Sequence, residues 1–182
     1  MSLGLQRGYV SLESHSIEWE TSALVMIETL KNILKNVLVD AQHVGSTSIK
    51  SIPAKPIIDI VVGVSDFEKL MNCNDILLEH GIVYRGQDQP DQHLYVCGDF
   101  QREIRTHHIH AVIYGGKAWT DYLNMRDYLN THEDEAMEYS RLKEELANEY
   151  PNDREAYTNG KHDFIVNILK KAEEWNCSTG IC

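Results

Sequence analysis

The segment Ile57-Ile58-Asp59-Ile60-Val61-Val62 is apolar and β-branched at every position but one. A strand with one face in water alternates apolar and polar residues, whereas a near-continuous apolar run fits a central strand packed on both faces. The exception tightens the constraint. A carboxylate carried into such a strand costs on the order of several kcal/mol unless it is hydrogen-bonded, ion-paired or bound to a metal. The chain must therefore build a sheet covered on both sides and must also bring partners to Asp59.

Elements for both tasks lie on either side of this run. Ile27, Leu30, Leu34, Val37 and Leu38 recur at three and four and predict an amphipathic helix over residues 22–38. Residues 39–44 then lead into the turn Gly45-Ser46-Thr47-Ser48. Beyond the central strand, Ser65 and Glu68 form a capping-box pattern for a helix that ends near His80, where Gly81 supplies the stop. Stretches 82–85, 93–97 and 104–114 read as strands joined by hairpins. After Gly115-Gly116 the pattern becomes helical over 117–130. A Thr131-x-x-Asp134 cap opens a second helix to about Glu149, and Pro151 opens a third that runs to Trp175. These elements predict an α/β (α+β) fold, a mixed sheet with helices on it and a C-terminal helical segment.

With 182 residues, 42% of them hydrophobic, the chain has enough material for one core, and we expect a single domain over residues 10–176 with frayed ends at 1–9 and 177–182. Seventeen lysines and arginines face 28 aspartates and glutamates, a formal charge of −11 that repels a phosphate backbone, so nucleic acid is not an expected partner. No apolar run approaches the roughly 18 residues of a membrane span, and the basic start of a signal peptide is absent. The expected location is the cytoplasm, with the four scattered cysteines reduced. Oligomeric state is left open.

The chemistry concentrates in His43-Val44-Gly45-Ser46-Thr47-Ser48 and the strand of Asp59. A glycine-serine turn between elements offers backbone N–H groups and hydroxyls to a phosphate, and a carboxylate on the adjacent strand can hold a metal that bridges the phosphate oxygens. Gly45, Ser46 and Thr47 are thus candidate phosphate-binding residues, with Ser46 and Asp59 as candidate catalytic groups. The same residues also fit an ordinary turn beside a hydrogen-bonded buried carboxylate. Lys55 and a histidine cluster are the partners the sequence offers Asp59. Strand alternation puts His108 and His110 on one face and His107 on the other, and two imidazoles at that spacing can bind one ion. Asp59, His108 and His110 are therefore the candidate metal ligands, with magnesium, manganese or zinc as the candidate cofactor. Arg126 and Lys143, each on a predicted helix beside apolar neighbours, are candidate holders of a substrate anion, though both also fit surface ion pairs. Tyr157, Lys161 and His162 are further candidates of the same kind.

The blocks His43 to Ser48, Ala54-Lys55-Pro56-Ile57-Ile58-Asp59-Ile60, Thr106-His107-His108-Ile109-His110 and Arg126-Asp127-Tyr128-Leu129, together with Glu138-Tyr139, Leu142-Lys143 and the Tyr157 to Lys161 segment, resemble the GrpB family in order and spacing. The resemblance runs from Val10 to about Leu169. It implies a nucleotidyltransferase-like fold and a domain sometimes fused to dephospho-coenzyme A kinase, in a family without an assigned reaction. Against the wider nucleotidyltransferase pattern of Asp-x-Asp or Asp-x-Glu, Val61 stands where the second carboxylate would be. The two-ion scheme needs that pair, so a single ion held with the help of His108 or His110 is the expected variation. Two functions follow as expectations. One is a metal-assisted nucleotidyltransferase or phosphate-ester enzyme acting on a nucleotide or other small phosphorylated ligand. The alternative is a non-catalytic module that binds a nucleotide or coenzyme A precursor in a degenerate site.

Overall fold

A computed structural model describes residues 3–179. Its elements are β1 (Leu5–Gln6), α1 (Ile17–Leu34), β2 (Leu38–Val44), β3 (Ile58–Val64), α2 (Phe67–Met71), α3 (Asn74–Glu79), β4 (Val83–Gln89), β5 (Gln92–Cys97), β6 (Ile104–Arg105), β7 (His107–Ile113), α4 (Lys117–Thr131), α5 (Glu133–Glu149), α6 (Arg154–Asn159) and α7 (His162–Thr179). Five strands form one mixed sheet in the order β2-β3-β7-β5-β4, in which β3 and β7 are parallel and the other pairs antiparallel. The mixed α+β architecture is the one the sequence predicts. Among the described residues no helix is long and apolar enough to cross a membrane.

Strand β3 is covered on both faces, as its composition requires. Ile58, Ile60, Val62 and Val64 point to a core shared with Trp19, Ala23, Ile27 and Leu30 of α1 and with Leu70 and Leu77 of α2 and α3. On the opposite face Val61 packs with Val44, Val112 and Trp119, under α4. Asp59 shares that face and is the one residue of β3 that is not buried. Gly63 completes the pattern. A Cβ there would lie 2.8 Å from the Tyr114 ring and 2.9 Å from the Trp119 ring, so the missing side chain is what lets Trp119 lie over the sheet next to Val61.

Several boundaries differ from expectation, each for a local reason. The first helix starts at Ile17, not near 22, because Ser16 accepts a hydrogen bond from Glu18 N–H and caps it; a 3-10 turn over Lys35–Val37 then ends it. Asp66, not Ser65, caps the next helix, accepting from the N–H groups of Glu68 and Lys69. That helix is broken into α2 and α3, and the Asn74 side chain beyond the break accepts from the Tyr95 hydroxyl at 2.8 Å. Thr131 does not cap α5: its hydroxyl donates back to the carbonyls of Asp127 and Tyr128 in α4. The long last helix is interrupted too. Asp153 caps the short α6, and α7 begins at His162. The stretch 104–114 splits at Thr106, so β7 joins the main sheet while β6 pairs with β1. Residues 3–9 are correspondingly tied down and not frayed, with Gly4 N–H also bonded to Pro56 O at 2.8 Å. Cys177 lies within α7, and of the ends expected to fray, residues 1–2 and 180–182 fall outside the described residues.

Gly63 provides a direct check of how tightly α4 is seated. Gly63→Ala should lower the stability read from urea unfolding by about 1–3 kcal/mol, the usual cost of overpacking a tight interior contact. An unchanged midpoint would mean that Trp119 is free to move off the sheet.

Candidate functional site

Antiparallel pairing aligns Val44 of β2 with Asp59, and parallel pairing aligns His108 of β7 with Asp59 and His110 with Val61. Alternation then puts Asp59, His108 and His110 on one face, and His107 on the other, where its ring meets Ser22 of α1 at 3.2 Å and Thr106 at 3.0 Å. Asp59 Oδ1 lies 3.3 Å from His108 Nδ1 and 3.3 Å from His110 Nε2. Burial alone would raise the Asp59 carboxyl, but the hydrogen bonds and charge of these two imidazoles hold it well below the usual carboxylate range. Asp59 is an anion with two imidazole donors.

The Gly45-Ser46 turn lies against the same carboxylate. Gly45 has φ +70°, and a Cβ there would sit 2.6 Å from Asp59 Oδ2, so both backbone and space demand glycine. Ser46–Ser48 forms a 3-10 turn in which Ser48 N–H and Ile49 N–H bond back to Gly45 O and Ser46 O, at 3.1 and 3.3 Å. Such a turn satisfies its later amides, and those of Ser46 and Thr47 have no partner within it. The Thr47 hydroxyl pairs with His43 Nε2 at 2.9 Å, and burial pushes the His43 imidazole down to about 4.

Gly45, Ser46, Thr47, Asp59, His108 and His110 line a cavity of about 300 Å³ closed by the C-terminal helices. Tyr122, Met125 and Arg126 of α4, Tyr139 of α5, Arg154, Tyr157 and Thr158 of α6, and Lys161 and Ile165 complete its wall, opposite Lys55 and Ile57. Four lining side chains are cationic and one, Asp59, is a carboxylate. Arg126 is partly neutralised by Asp127, 2.7 Å away, and bonds also to Gln42 Oε1 and His43 O. Lys55 and Lys161 rest on the Tyr157 ring, at 4.9 and 4.6 Å from its centroid, with no ion pair among the described residues. Burial first, then repulsion by Lys161 and by Arg154, pushes Lys55 down to about 7; burial and repulsion by Arg154 push Lys161 down to about 8.

Of the residues singled out from the sequence, Gly45, Ser46, Thr47, Lys55, Asp59, His108, His110 and Arg126 come together in this cavity, as do Tyr157 and Lys161. Lys143 does not. It is 1% exposed, donates to Pro53 O and lies 4.8 Å from the Tyr139 ring, behind the wall; burial pushes it down to about 7. His162 is exposed and outside the lining. Arg154 was not foreseen. It stands at the start of α6 and donates to His108 Nε2 at 3.2 Å. Its sequence signal was Asp153, the cap of a short helix.

The GrpB protein family profile matches residues 9–171. The "Glutamate-rich protein GrpB" of Alkalihalophilus pseudofirmus is 38% identical over 172 residues, 93% of this chain and 99% of that one. UPF0157 protein YqkA of Bacillus subtilis is 33% identical over 81% of this chain, but only 43% of its own length is matched. Among solved structures, the conserved protein GrpB from Enterococcus faecalis superposes with a TM-score of 0.83 at 29% identity, over 91% of this chain and 99% of that one. Cid1 poly(U) polymerase, crystallised with Mg 3'-dATP, superposes with a TM-score of 0.53 at 12% identity, over 82% of this chain and 49% of that one. At that identity the likeness is one of fold, and the sheet and its helices are of the nucleotidyltransferase type.

The cations and the buried histidines fix how stability varies with pH. His43 and His107 are both pushed down to about 4 by burial, so below about pH 6.5 the unfolded chain binds protons that the folded chain refuses. Lys55, Lys143 and Lys161, at about 7, 7 and 8, repeat this between about pH 7 and the ordinary lysine value. In both windows stability rises with pH, by at most about 1.4 kcal/mol per pH unit for each group. Urea midpoints measured from about pH 6 to about pH 9 should climb, and Lys55→Met should raise the neutral midpoint and flatten the climb. A maximum at neutral pH followed by a fall toward pH 9 would contradict this account of the lysines.

Proposed function

The chain belongs to the GrpB family, and from that premise we propose that its cavity binds a small phosphorylated ligand of the nucleotide class. The observation that carries the reading is the charge of the lining. A protein with formal charge −11 places four cations around one carboxylate in a small, partly buried cavity. Buried like charges are costly to hold together, and an anionic ligand is the natural compensation. The turn amides of Ser46 and Thr47 face such an anion as polar donors, and Lys55, Lys161, Arg154 and Arg126 supply its counter-charge. Tyr122, Met125, Tyr139 and Tyr157 offer apolar and aromatic surface for the remainder of the ligand.

The reading favours binding over nucleotidyl transfer, since the second carboxylate of the two-ion scheme is replaced by Val61, which is fully buried. A phosphate-ester enzyme is the second reading, and the Asp59–His110 pair favours it, because an imidazole oriented by a carboxylate can move a proton. Product formation from a bound nucleotide would select it.

A thermal-shift screen of nucleotides and coenzyme A precursors provides the test. A ligand at about a hundred times its Kd should stabilise the protein by about 2.7 kcal/mol. The effect should be lost in Lys55→Met and Arg154→Met. Titration calorimetry with ADP near pH 8, in buffers of different ionisation enthalpy, should show protons taken up on binding, because a phosphate beside Lys55 and Lys161 restores their charge. At about pH 6 the uptake on these lysines should vanish. A flat screen across all phosphorylated ligands would sink the proposal.

A further inference from the structure

The nucleotidyltransferase fold implies divalent ions at the strand of Asp59, and three features of this site do not fit them. The position that would carry the second carboxylate is Val61, on the same face as Asp59, packed dry with Val44, Val112 and Trp119. Gly63 lets Trp119 close over it, so the packing leaves neither a ligand oxygen nor room for a hydrated ion.

The second feature is the proton placement on His108. Arg154 has only donors, so its bond to His108 Nε2 fixes the lone pair on Nε2 and the proton on Nδ1, which points to Asp59 Oδ1. A metal-bound imidazole presents its other nitrogen as an N–H to a carboxylate, carbonyl or water. Here that partner is a guanidinium, which opposes a metal on Nδ1 both by donor–donor contact and by charge. Among the described residues no set of three histidine, cysteine, aspartate or glutamate side chains is disposed to hold an ion.

The third feature is the charge already present. With Arg126 engaged by Asp127, the basic side chains of Lys55, Lys161 and Arg154 stand against Asp59 alone, so basic groups outnumber the one carboxylate of the lining. An added divalent cation would deepen this excess.

We infer that the cavity takes its ligand as a metal-free polyanion, with the ammonium groups of Lys55 and Lys161 and the guanidinium of Arg154 supplying the charge that divalent ions supply in the two-ion scheme. This rests on the phosphate-pocket reading and narrows the ligand to one carrying at least two negative charges close together, a phosphomonoester dianion or a nucleoside diphosphate. A neutral nucleoside and a magnesium-chelated triphosphate are both poorer matches.

Calorimetric titration of ADP in EDTA, and again in excess magnesium or manganese, separates the cases. ADP should bind in EDTA, and either ion should leave the affinity within about threefold or weaken it, by neutralising the ligand. Lys55→Met and Lys161→Met should each lose about tenfold or more in EDTA, as expected for a charge-assisted contact, while melting at least as high as the parent chain. Affinity at least about tenfold tighter with either ion, and insensitive to both lysine variants, would overturn the inference while leaving the phosphate pocket standing. Failure of ADP, adenosine monophosphate and pyrophosphate to bind in either medium would instead overturn the phosphate pocket, and this inference with it.

Discussion

The Asp59 carboxylate receives the imidazoles of His108 and His110 on one oxygen and has the bare backbone of Gly45 against the other. Much of the site follows from keeping this anion inside a sheet. Parallel pairing of β3 with β7 puts His108 level with Asp59, and alternation brings His110 to the same face. The close approach forbids a side chain at residue 45 and gives the chain a turn with positive φ there. The break at Thr106 matters for the same reason: it lets β6 leave with β1, so that β7 can enter between β3 and β5.

Around that anion the protein assembles more positive charge than it needs. Each of Lys55, Lys143 and Lys161 is pushed down from its ordinary value, with burial the first cause and neighbouring cations among the others. The folded, ligand-free chain is therefore less stable than its core would allow if those positions were apolar, by the same physics that makes an isolated buried charge expensive. A ligand that relieves the repulsion recovers this energy on binding. The tyrosine rings moderate the cost meanwhile, with Tyr157 against two ammonium groups and Tyr139 against a third.

The central strand, the face shared by His108 and His110, and the turn at Gly45 were legible because each is encoded by local pattern: a run of β-branched residues, a period of two, and a glycine before a hydroxyl. Lys143 was misplaced because nothing in its helix distinguishes a lysine aimed at a cavity from one that ends on Pro53 O, ninety residues away in sequence. Arg154 was overlooked because Pro151 and the apolar stripe of α7 suggest one continuous helix. The Asp153 cap that starts α6, and Gly160 against Leu146, are small signals beside that stripe. The start of α2 slipped likewise because Ser65 and Asp66 stand together as plausible caps, and the choice is made by backbone direction outside the helix.

The distance between fold and chemistry in this molecule is set by packing on one face of one strand. Asp59, Val61 and Gly63 are consecutive residues of that face, and they run from an open cavity to a dry core within about 14 Å of chain. Val61 cannot be exchanged for a carboxylate in isolation, because Trp119 lies over its neighbour and the apolar contacts of Val44 and Val112 would surround the new charge. The arginine on His108 adds a second barrier, since it holds the imidazole in the tautomer that donates to Asp59. Loss of the paired carboxylates is thus built into the core beneath α4 and into the cation wall contributed by α6, two regions far apart in sequence. A sheet of nucleotidyltransferase type thus carries, beside the one carboxylate of this face, a cavity walled by basic side chains.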